Sequence, residues 1–405
     1  MIKRDKYMEQ LRAFRGKPMI KVLTGLRRAG KSTLLMMLRE ELIVDGIDPE
    51  SVIMINFDNM DFFDLREAKA LHSYIKSKMA GRSQCTVMID EVQEAVGWEQ
   101  VVNSLLSEGM SDIYITGSNS QLLSSDLATY IAGRYVEIHV TTLSFSEVLA
   151  YHRAGTNYNS DLSSEINRYI RTGGFPAVYT GDYSEQETYQ IVKDIYSSAV
   201  LRDVVQRLNL RNVELLERIL RYVFDNIGNI FSGRNVSAFF LSQNRKVDQS
   251  TVYNYLNALS DAFIINRIQR YDLQGKEILQ TNEKYYLGDI SLAYAAFGFK
   301  DRLISGVLEN IVLLELQRRG YKVFVGKAGE KEIDFVAEKG NHKVYVQVAY
   351  KIKDADETIA REFKPLLAIH DQYPKYVVTL DDFWKDNYQG IRHIYLPEFL
   401  TMSDY

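Results

Sequence analysis

The feature of the sequence that most constrains its fold is the stretch Gly25–Ser32, which matches the pattern G-x-x-x-x-G-K-[ST]. It lies between an apolar run that predicts a β-strand, Ile20–Thr24, and a run that predicts an α-helix, Lys31–Leu42. Glycine lets the backbone wrap closely, so the N–H groups of the loop can face phosphate oxygens at the positive end of the helix. The stretch therefore predicts a strand–loop–helix unit that binds nucleotide phosphates.

The residues of this loop have distinct expected roles. Lys31 is expected to reach the β- and γ-phosphates, and the Ser32 hydroxyl is expected to bind Mg²⁺. Arg27 and Arg28 are expected to face solvent or an interface rather than to take part in catalysis. The predicted phosphate site consists of Gly25, Leu26, Arg27, Arg28, Ala29, Gly30, Lys31, Ser32 and Thr33.

A second motif follows downstream, where the apolar run Thr86–Asp90 ends in Asp90-Glu91. A strand that ends in these acids would hold Asp90 at the carboxyl edge of a sheet, beside Mg²⁺. Glu91 would then be placed to orient or deprotonate the attacking water. Another predicted strand, Val52–Phe57, lies between the two motifs. This inserted strand is typical of hydrolysing phosphate-loop proteins, in which the sheet leaves room for a catalytic glutamate.

Two further groups are candidates for the same site. The strand Ile113–Thr116 is followed by small polar residues, so Ser118 or Asn119 would lie near the γ-phosphate as a sensor; a polar loop or a helix N-cap is the alternative. Arg134 precedes the strand Tyr135–Val140. Its guanidinium is predicted to stabilise phosphoryl charge in its own subunit or in a neighbouring one, and a structural salt bridge is the alternative.

Composition excludes several other classes of protein. The 405 residues are enough for two to four domains, and a net charge of −4 excludes an overall basic surface for nucleic acid, although not a local patch. One cysteine, Cys85, excludes a disulfide framework and a cysteine-based zinc cluster. Neither a secretory signal nor an apolar run of about 18 residues is visible. We therefore expect a cytoplasmic protein that is not embedded in a membrane.

The spacing of apolar residues changes along the chain. The first 140 residues alternate strands with helices, which predicts an α/β fold with a parallel sheet covered on both faces. Residues 143–210 are helical in pattern, including a long helix over Gln186–Arg207. The next part predicts a helix, a short helix, a third helix and a β-ribbon, an order typical of a winged helix. The last hundred residues predict the helix Leu303–Arg319 and a hairpin at Gly340–Asn341.

The chain resembles the AAA-type ATP-binding proteins of bacteria and archaea in the order of its motifs: GLRRAGKST, VMIDEVQ, ITGSN with a following AGR, LSFSEVL and GGFP. It is most similar to the subgroup whose carboxy-terminal part is a domain of unknown function related to PD-(D/E)XK nucleases. That pattern continues in VLRDVVQR, KYYLGDISLAYA, GVLENIVLLEL and EIDFVA. The similarity covers nearly the whole chain.

The resemblance implies ATP with Mg²⁺ as ligand and a parallel sheet in the order 5-1-4-3-2. It also implies four parts: an ATPase core over residues 1–142, a helical lid over 143–212, a winged-helix domain over 213–290, and an α/β restriction-endonuclease-like domain over 291–405. The expected partners are ATP, a protein or DNA bound through the carboxy-terminal half, and further copies of the chain in a homo-oligomer.

The last part is expected to be an inactive nuclease. A PD-(D/E)XK site needs carboxylates that hold Mg²⁺ and a lysine near the attacking water. Glu309 and Asp334 occupy the first two motif positions, but the third reads Gln347-Val348-Ala349, which lacks the lysine. Lys351 is on the same face of the strand as Ala349, roughly 6–7 Å further on, so the site is not strictly excluded.

The sequence leaves three functions open. The first is a Mg²⁺-dependent ATPase whose nucleotide state repositions the carboxy-terminal domains. The second is an ATP-gated switch with negligible turnover that binds DNA or a protein through the carboxy-terminal half, and the third and weakest is an ATP-coupled nuclease. The third winged-helix helix is expected to present polar side chains outward: Gln249, Ser250, Asn254 and Asn257. Only Arg245 and Lys246 add positive charge there, which favours protein over DNA as the partner.

Overall fold

In the computed structural model, the described residues are 2–123, 133–155, 161–198, 204–205, 212–298, 300–352, 356–382 and 387–405. The chain divides into two compact units. Unit 1 consists of Met1–Thr142 with Asp261–Phe263, and unit 2 consists of Leu143–Ser260 with Ile264–Tyr405. No helix within the described residues is both long and apolar enough to cross a membrane.

Unit 1 is built on a five-stranded parallel sheet in the order β2-β3-β4-β1-β5. This is the order that the sequence resemblance implies. The strands are β1 Ile20–Thr24, β2 Val52–Asn56, β3 Cys85–Asp90, β4 Ser111–Thr116 and β5 Tyr135–His139. The helices are α1 Asp5–Ala13, α2 Lys31–Val44, α3 Ala68–Met79 and α4 Trp98–Ser107. All five predicted strands are confirmed to within about two residues at their ends.

The core of unit 1 explains why the chain folds in this way. Strands β1 and β3 are buried at every position, as expected for central parallel strands covered on both faces. Apolar side chains of α3 and α4, among them Leu71, Ile75 and Val102, pack on one face in a single cluster with Val87 and Ile113. Cys85 and Trp98 are buried in the same cluster.

Register brings the functional ends of the strands together. Ile89 of β3 pairs with Ile115 of β4, and Leu23 of β1 pairs with Thr116 of β4. The carboxyl ends of β1, β3 and β4 therefore meet at one edge of the sheet, where ligands bind in open parallel sheets. The phosphate loop, the acid pair and the polar segment after β4 all begin at this edge.

Unit 2 begins with helices and ends in a mixed sheet of eight strands, ordered β12-β13-β11-β10-β9-β8-β6-β7. Its helices are α5 Phe145–Arg153, α6 Leu162–Thr172, α7 Glu185–Ser198, α8 Val213–Asp225, α9 Gly233–Ser242, α10 Gln249–Asp261, α11 Ser291–Phe297, α12 Ile304–Arg318, α13 Asp356–Leu367 and α14 Leu396–Thr401. Its strands are β6 Ile265–Asp272, β7 Glu277–Leu287, β8 Lys322–Ala328, β9 Lys331–Lys339, β10 His342–Ala349, β11 Lys375–Thr379, β12 Asn387–Tyr388 and β13 Ile391–Tyr395.

Two expectations for this unit differ from the structure in detail. The long helix predicted over 186–207 is described only to Ser198, and most of its remainder lies outside the described residues. The predicted ribbon exists as the antiparallel pair β6–β7, but β6 also pairs in parallel with β8. The ribbon is thus the edge of the eight-stranded sheet rather than a free-standing wing. The hairpin at Gly340 is as predicted, with His342 paired to Lys339.

The glycine pair of the GGFP motif has a structural explanation within unit 2. Gly173 ends α6 with a φ of 68°, and a Cβ there would lie 2.1 Å from Asp289 Oδ1. The Gly174 N–H donates to Asp289 Oδ2 at 2.8 Å, and Ser291 donates its N–H to Oδ1. The buried Asp289 carboxylate therefore joins the turn after α6 to the start of α11, and only glycine leaves room for it.

Candidate functional site

The loop between β1 and α2 needs its glycines. Gly25 has a φ of 138°, and a Cβ on it would lie 2.0 Å from the Val140 carbonyl oxygen. Gly30 precedes α2 with a φ of 100°, and Arg28 also adopts a positive φ, 63°. These left-handed positions turn the chain tightly just before the helix, which leaves the first N–H groups of α2 directed out of its amino end.

The Lys31 side chain extends back into the loop that precedes α2. Its side chain is buried, and Nζ donates to the carbonyl oxygens of Gly25 at 2.9 Å and Leu26 at 3.2 Å. Of the two arginines in this loop, Arg28 is exposed and Arg27 is half-buried. The loop therefore presents a fixed positive charge together with helix N–H groups, a combination that suits an anion.

Asp90 lies at the end of β3, with only 1% of its surface exposed. The Thr116 hydroxyl donates to Oδ1, whereas Oδ2 is buried with no hydrogen-bond partner among the described residues. Burial raises the pKa of Asp90, and the Thr116 and Ser32 hydroxyls lower it in part. An unsatisfied buried carboxylate oxygen next to a serine hydroxyl is the oxygen donor set that Mg²⁺ prefers, so these residues fit that ion.

Glu91 is held in a strained conformation beside Asp90. Its φ of 53° and ψ of 50° are left-handed, a conformation that costs a residue with a side chain about 1–3 kcal/mol. Its N–H donates to Thr116 Oγ1 at 3.0 Å, and Oε2 accepts hydrogen bonds from the Gln93 amide and from Ser118 Oγ at 3.3 Å. Strain that the surroundings maintain in this way is common at functional sites.

Sequence reasoning missed Thr116 and Gln93. The Thr116 hydroxyl contacts both acids of the pair, because it accepts from the Glu91 N–H and donates to Asp90. Gln93 follows Glu91 by two residues, so the motif VMIDEVQ contained this signal, but only the turn after β3 directs its side chain back to Glu91. Thr116 is the last residue of β4, and no motif in the sequence marks it as functional.

The structure separates the two candidate sensors. Ser118 is fully buried and contacts the Glu91 carboxylate. Asn119 is also buried, and its carbonyl oxygen accepts the Leu122 N–H at 3.3 Å in the short turn that follows. The structure thus brings Ser118 to the acid pair.

Arg134 is not part of this group of side chains. It precedes β5, whose first residue, Tyr135, pairs with Ile20 at the amino end of β1. The phosphate loop leaves the opposite end of β1, roughly 15 Å away for a strand of this length. The guanidinium is exposed and donates to Asn103 Oδ1 at 3.0 Å. The structure therefore does not bring Arg134 to the loop of its own chain.

A second cluster of charged side chains lines a pocket of about 960 Å³ in unit 2. Glu309 of α12 and Asp334 of β9 come together there, as the motif positions predict. Between them lies Lys284 of β7, which the sequence analysis did not identify. Lys284 Nζ is 2.6 Å from Glu332 Oε1, 3.7 Å from Glu309 Oε2 and 4.0 Å from Asp334 Oδ1.

Gln347 of this pocket is hydrogen-bonded to two of the neighbouring pocket residues. The Gln347 side-chain amide donates to Glu362 Oε2 at 3.2 Å, and Gln347 Oε1 accepts the Asp334 N–H at 3.3 Å. Lys351 is exposed and lies over the Tyr350 ring at 5.5 Å rather than at the carboxylates. Burial raises the pKa of Glu309 and that of Asp334, and the charge of Lys284 opposes both shifts. Within the described ranges, no group of three or more His, Cys, Asp or Glu side chains is arranged to hold a metal ion.

Comparisons with known proteins agree with the first site. Residues 17–149 match the family model of an AAA domain, and residues 163–303 match that of a domain of unknown function (DUF8612). An uncharacterized protein of Haemophilus influenzae is 37% identical over 402 residues, which cover 99% of this chain and 98% of that protein. An uncharacterized protein of Methanocaldococcus jannaschii is 29% identical over 85% of this chain and 77% of its own length.

The chain is similar in fold to a solved structure, a Walker-type ATPase of Pyrococcus abyssi, with a TM-score of 0.50 and 16% sequence identity over 73% of this chain and 96% of that one. At this identity the similarity concerns the fold alone. The family model and this neighbour together make unit 1 an AAA-type phosphate-loop domain, as the sequence motifs indicate. The family model matched over residues 163–303 describes a domain of unknown function, so the nuclease-like domain and the winged helix stay predictions.

Proposed function

Because the chain belongs to the family of the Haemophilus influenzae protein and carries an AAA domain, we propose that it binds ATP with Mg²⁺ and hydrolyses it. The observation that carries this proposal is the acid pair Asp90-Glu91 at the same sheet edge as the Lys31 loop. Glu91 is buried, has a strained backbone and is hydrogen-bonded through its carboxylate. These features are typical of a functional residue rather than of one that only fills the core.

Each residue has a role that follows from its position. Lys31 and the first N–H groups of α2 would bind the β- and γ-phosphates. Ser32 and Asp90 would hold Mg²⁺, which supplies positive charge to the phosphate oxygens when bound. Glu91 would accept a proton from water as the water oxygen bonds to the γ-phosphorus and the bond to the β–γ bridging oxygen breaks, which yields ADP and phosphate. Ser118 or Asn119 would sense the γ-phosphate.

Replacement of Glu91 by Gln tests the proposal. The amide keeps the shape of the side chain but cannot accept the proton, so we expect retained ATP binding and a loss of about 10²–10⁴-fold in the hydrolysis rate. Single-turnover hydrolysis and equilibrium ATP binding measure the two effects. Glu94→Gln is a matched control, because Glu94 is three residues away and pairs with Arg66 at 3.6 Å. Unchanged hydrolysis in Glu91→Gln would remove Glu91 from this role.

A second candidate function is an ATP-gated binding switch with negligible turnover. It is supported by the apolar surface of α9 and α10, where Phe239, Leu241 and Tyr253 are 39%, 63% and 36% exposed. The polar residues Gln249, Ser250, Asn254 and Asn257 are exposed as predicted, but Arg245 is already paired with Glu214 at 2.9 Å. This surface favours a protein over DNA as the partner. Steady ATP hydrolysis in the absence of a partner would contradict the switch.

For the carboxy-terminal half we retain the assignment of residues 143–212 as a lid, 213–290 as a winged-helix-like domain and 291–405 as a nuclease-like domain. We propose that this last domain does not cleave DNA. The Lys284 ammonium lies beside the carboxylates that a metal would need and offsets part of their charge, and Gln347 contributes no charge. Metal-dependent cleavage that disappears in Asp334→Ala would overturn this proposal. We also propose that the protein is cytoplasmic.

A further inference from the structure

Arg4, which no sequence motif marked, is buried beside the phosphate loop. Only 3% of its surface is exposed. One terminal nitrogen donates to the Ala29 carbonyl oxygen at 2.9 Å, and the other donates to the Thr142 carbonyl oxygen at 3.3 Å. Withdrawing a guanidinium from water costs several kcal/mol unless hydrogen bonds satisfy it, so these contacts are required by its burial.

A second residue of the same segment supports this arrangement. The Arg4 guanidinium lies 4.5 Å from the centre of the Tyr7 ring. The Tyr7 hydroxyl is 3.0 Å from Thr141 Oγ1 and accepts the Thr141 N–H at 3.1 Å. The Tyr7 ring, itself held by Thr141, thus fixes the direction of the Arg4 guanidinium. Through Arg4 and Tyr7, the segment before and within α1 connects the phosphate loop to the last residues of unit 1.

The contact with Ala29 has a consequence for the neighbouring N–H group. In a planar trans peptide, the carbonyl and the N–H of the next residue point in opposite directions. Because the Ala29 oxygen points to Arg4, the Gly30 N–H points away from it. Gly30 lies between the left-handed Arg28 and the helix start at Lys31, where loop N–H groups bind phosphate. Without Arg4, the plane of this peptide would lose the hydrogen bond that the Ala29 carbonyl oxygen accepts.

We propose that Arg4 is a positioning residue for phosphate binding, which it supports by fixing the plane of the Ala29–Gly30 peptide. The proposal rests on the proposed function, because it assumes that the loop binds a nucleotide. A planar guanidinium is suited to this task, since its fork can hold two carbonyl oxygens at once. The same fork holds Thr142, so the loop and the end of unit 1 are fixed by one side chain.

Equilibrium binding of a fluorescent ADP to the full chain in the presence of Mg²⁺ tests the proposal. We expect Arg4→Gln to weaken ADP binding by about 10–100-fold, the range for losing charge-assisted hydrogen bonds. Arg12→Gln is the matched control, because Arg12 is in α1, which begins directly after Arg4, and forms an exposed pair with Glu41 at 2.7 Å. It should leave ADP affinity within about twofold. In ATP hydrolysis, Arg4→Gln should raise KM and leave kcat nearly unchanged, a pattern that a general loss of structure does not produce.

The outcomes separate this inference from the proposed function. ADP affinity within twofold of wild type in Arg4→Gln, with binding abolished in Lys31→Ala, would overturn the role of Arg4 and leave the ATPase intact. Wild-type affinity in Lys31→Ala as well would overturn both. If Arg4→Gln does not fold, Arg4→Lys decides, because lysine keeps the charge but lacks the fork. A loss of about threefold or more supports the proposal, and unchanged binding overturns it.

Discussion

Two buried lysines illustrate how the same side chain takes different roles at the residue scale. Lys31 Nζ donates to two backbone carbonyl oxygens of its own loop, so its charge is held at that loop. Lys284 lies within 4.0 Å of three carboxylates and offsets part of their negative charge. The difference is set by the partners, because a buried ammonium needs either compensating acids or an incoming anion. Lysine content alone could not distinguish these cases.

Gly25 gives a prediction at this scale. Gly25→Ala would place a Cβ 2.0 Å from the Val140 carbonyl oxygen at a φ of 138°. We expect a loss of about 2–4 kcal/mol in the free energy of unfolding and loss of ATP binding, because the loop must shift. Urea unfolding and ATP titration measure these effects. Gly46→Ala is the control, since Gly46 also has a positive φ, 91°, but no atom within 4 Å. If both variants bind ATP equally well, the close approach does not shape the loop.

At the scale of elements, three strands and a helix assemble the acidic pocket of unit 2. Lys284 comes from β7, Glu309 from α12, and Glu332 and Asp334 from β9. The Tyr286 hydroxyl donates to Glu309 Oε2 at 2.8 Å, and the Val348 N–H of β10 donates to Asp334 Oδ2 at 2.8 Å. The cation that balances the acids thus comes from a strand far from the motif in sequence. Removing it leaves several buried carboxylates uncompensated.

Lys284→Met should therefore be strongly destabilising, by about 3–5 kcal/mol at pH 8. The loss should shrink towards pH 5, because the pKa values of Glu309 and Asp334 are raised by burial. A carboxyl whose pKa is raised by folding contributes stability below its unfolded pKa and loses it as pH rises through the folded pKa. Urea unfolding at the two pH values measures the difference.

Lys343→Met, which breaks the half-exposed pair with Glu338, is the control and should change stability by less than about 1 kcal/mol at either pH. An equal loss for Lys284→Met at pH 5 and pH 8 would contradict the electrostatic explanation.

For the molecule as a whole, the position of Arg134 bears on assembly. An exposed arginine at the amino edge of the sheet is remote from its own phosphate loop. We propose that any action of Arg134 on phosphoryl charge is directed at the site of a neighbouring subunit. An arginine supplied in this way raises hydrolysis by a large factor in other phosphate-loop proteins. A homo-oligomer that forms in ATP would bring the two together.

A mixing experiment tests this arrangement. Arg134→Ala and Glu91→Gln should each be inactive in hydrolysis, whereas a mixture should regain part of the activity. In the mixture, a site with intact Glu91 can receive Arg134 from a neighbouring Glu91→Gln subunit. ATPase rate, measured alongside mass in solution with ATP and Mg²⁺, gives the answer. Wild-type activity in Arg134→Ala alone would show that the arginine has no catalytic role.

The strands and the phosphate loop could be predicted from the sequence because their signals are local. Apolar runs ended by Gly, Asp or Ser located β1 to β5, and the glycine and lysine spacing located Gly25–Ser32. Asp90 and Glu91 followed from the same kind of signal, since they close an apolar strand. Hairpin formation at Gly340 was equally local.

Contacts between distant segments could not be predicted in this way. No short sequence pattern encodes the contacts of Arg4 with Ala29, of Thr116 with the acid pair, or of Lys284 with its carboxylates. The pairing of β6 with β8 is of the same kind. By itself, the sequence determined the local geometry and the chemistry of each motif. Only the tertiary structure decided which side chains face one another, because burial and register bring together residues whose separation along the chain carries no information about distance in space.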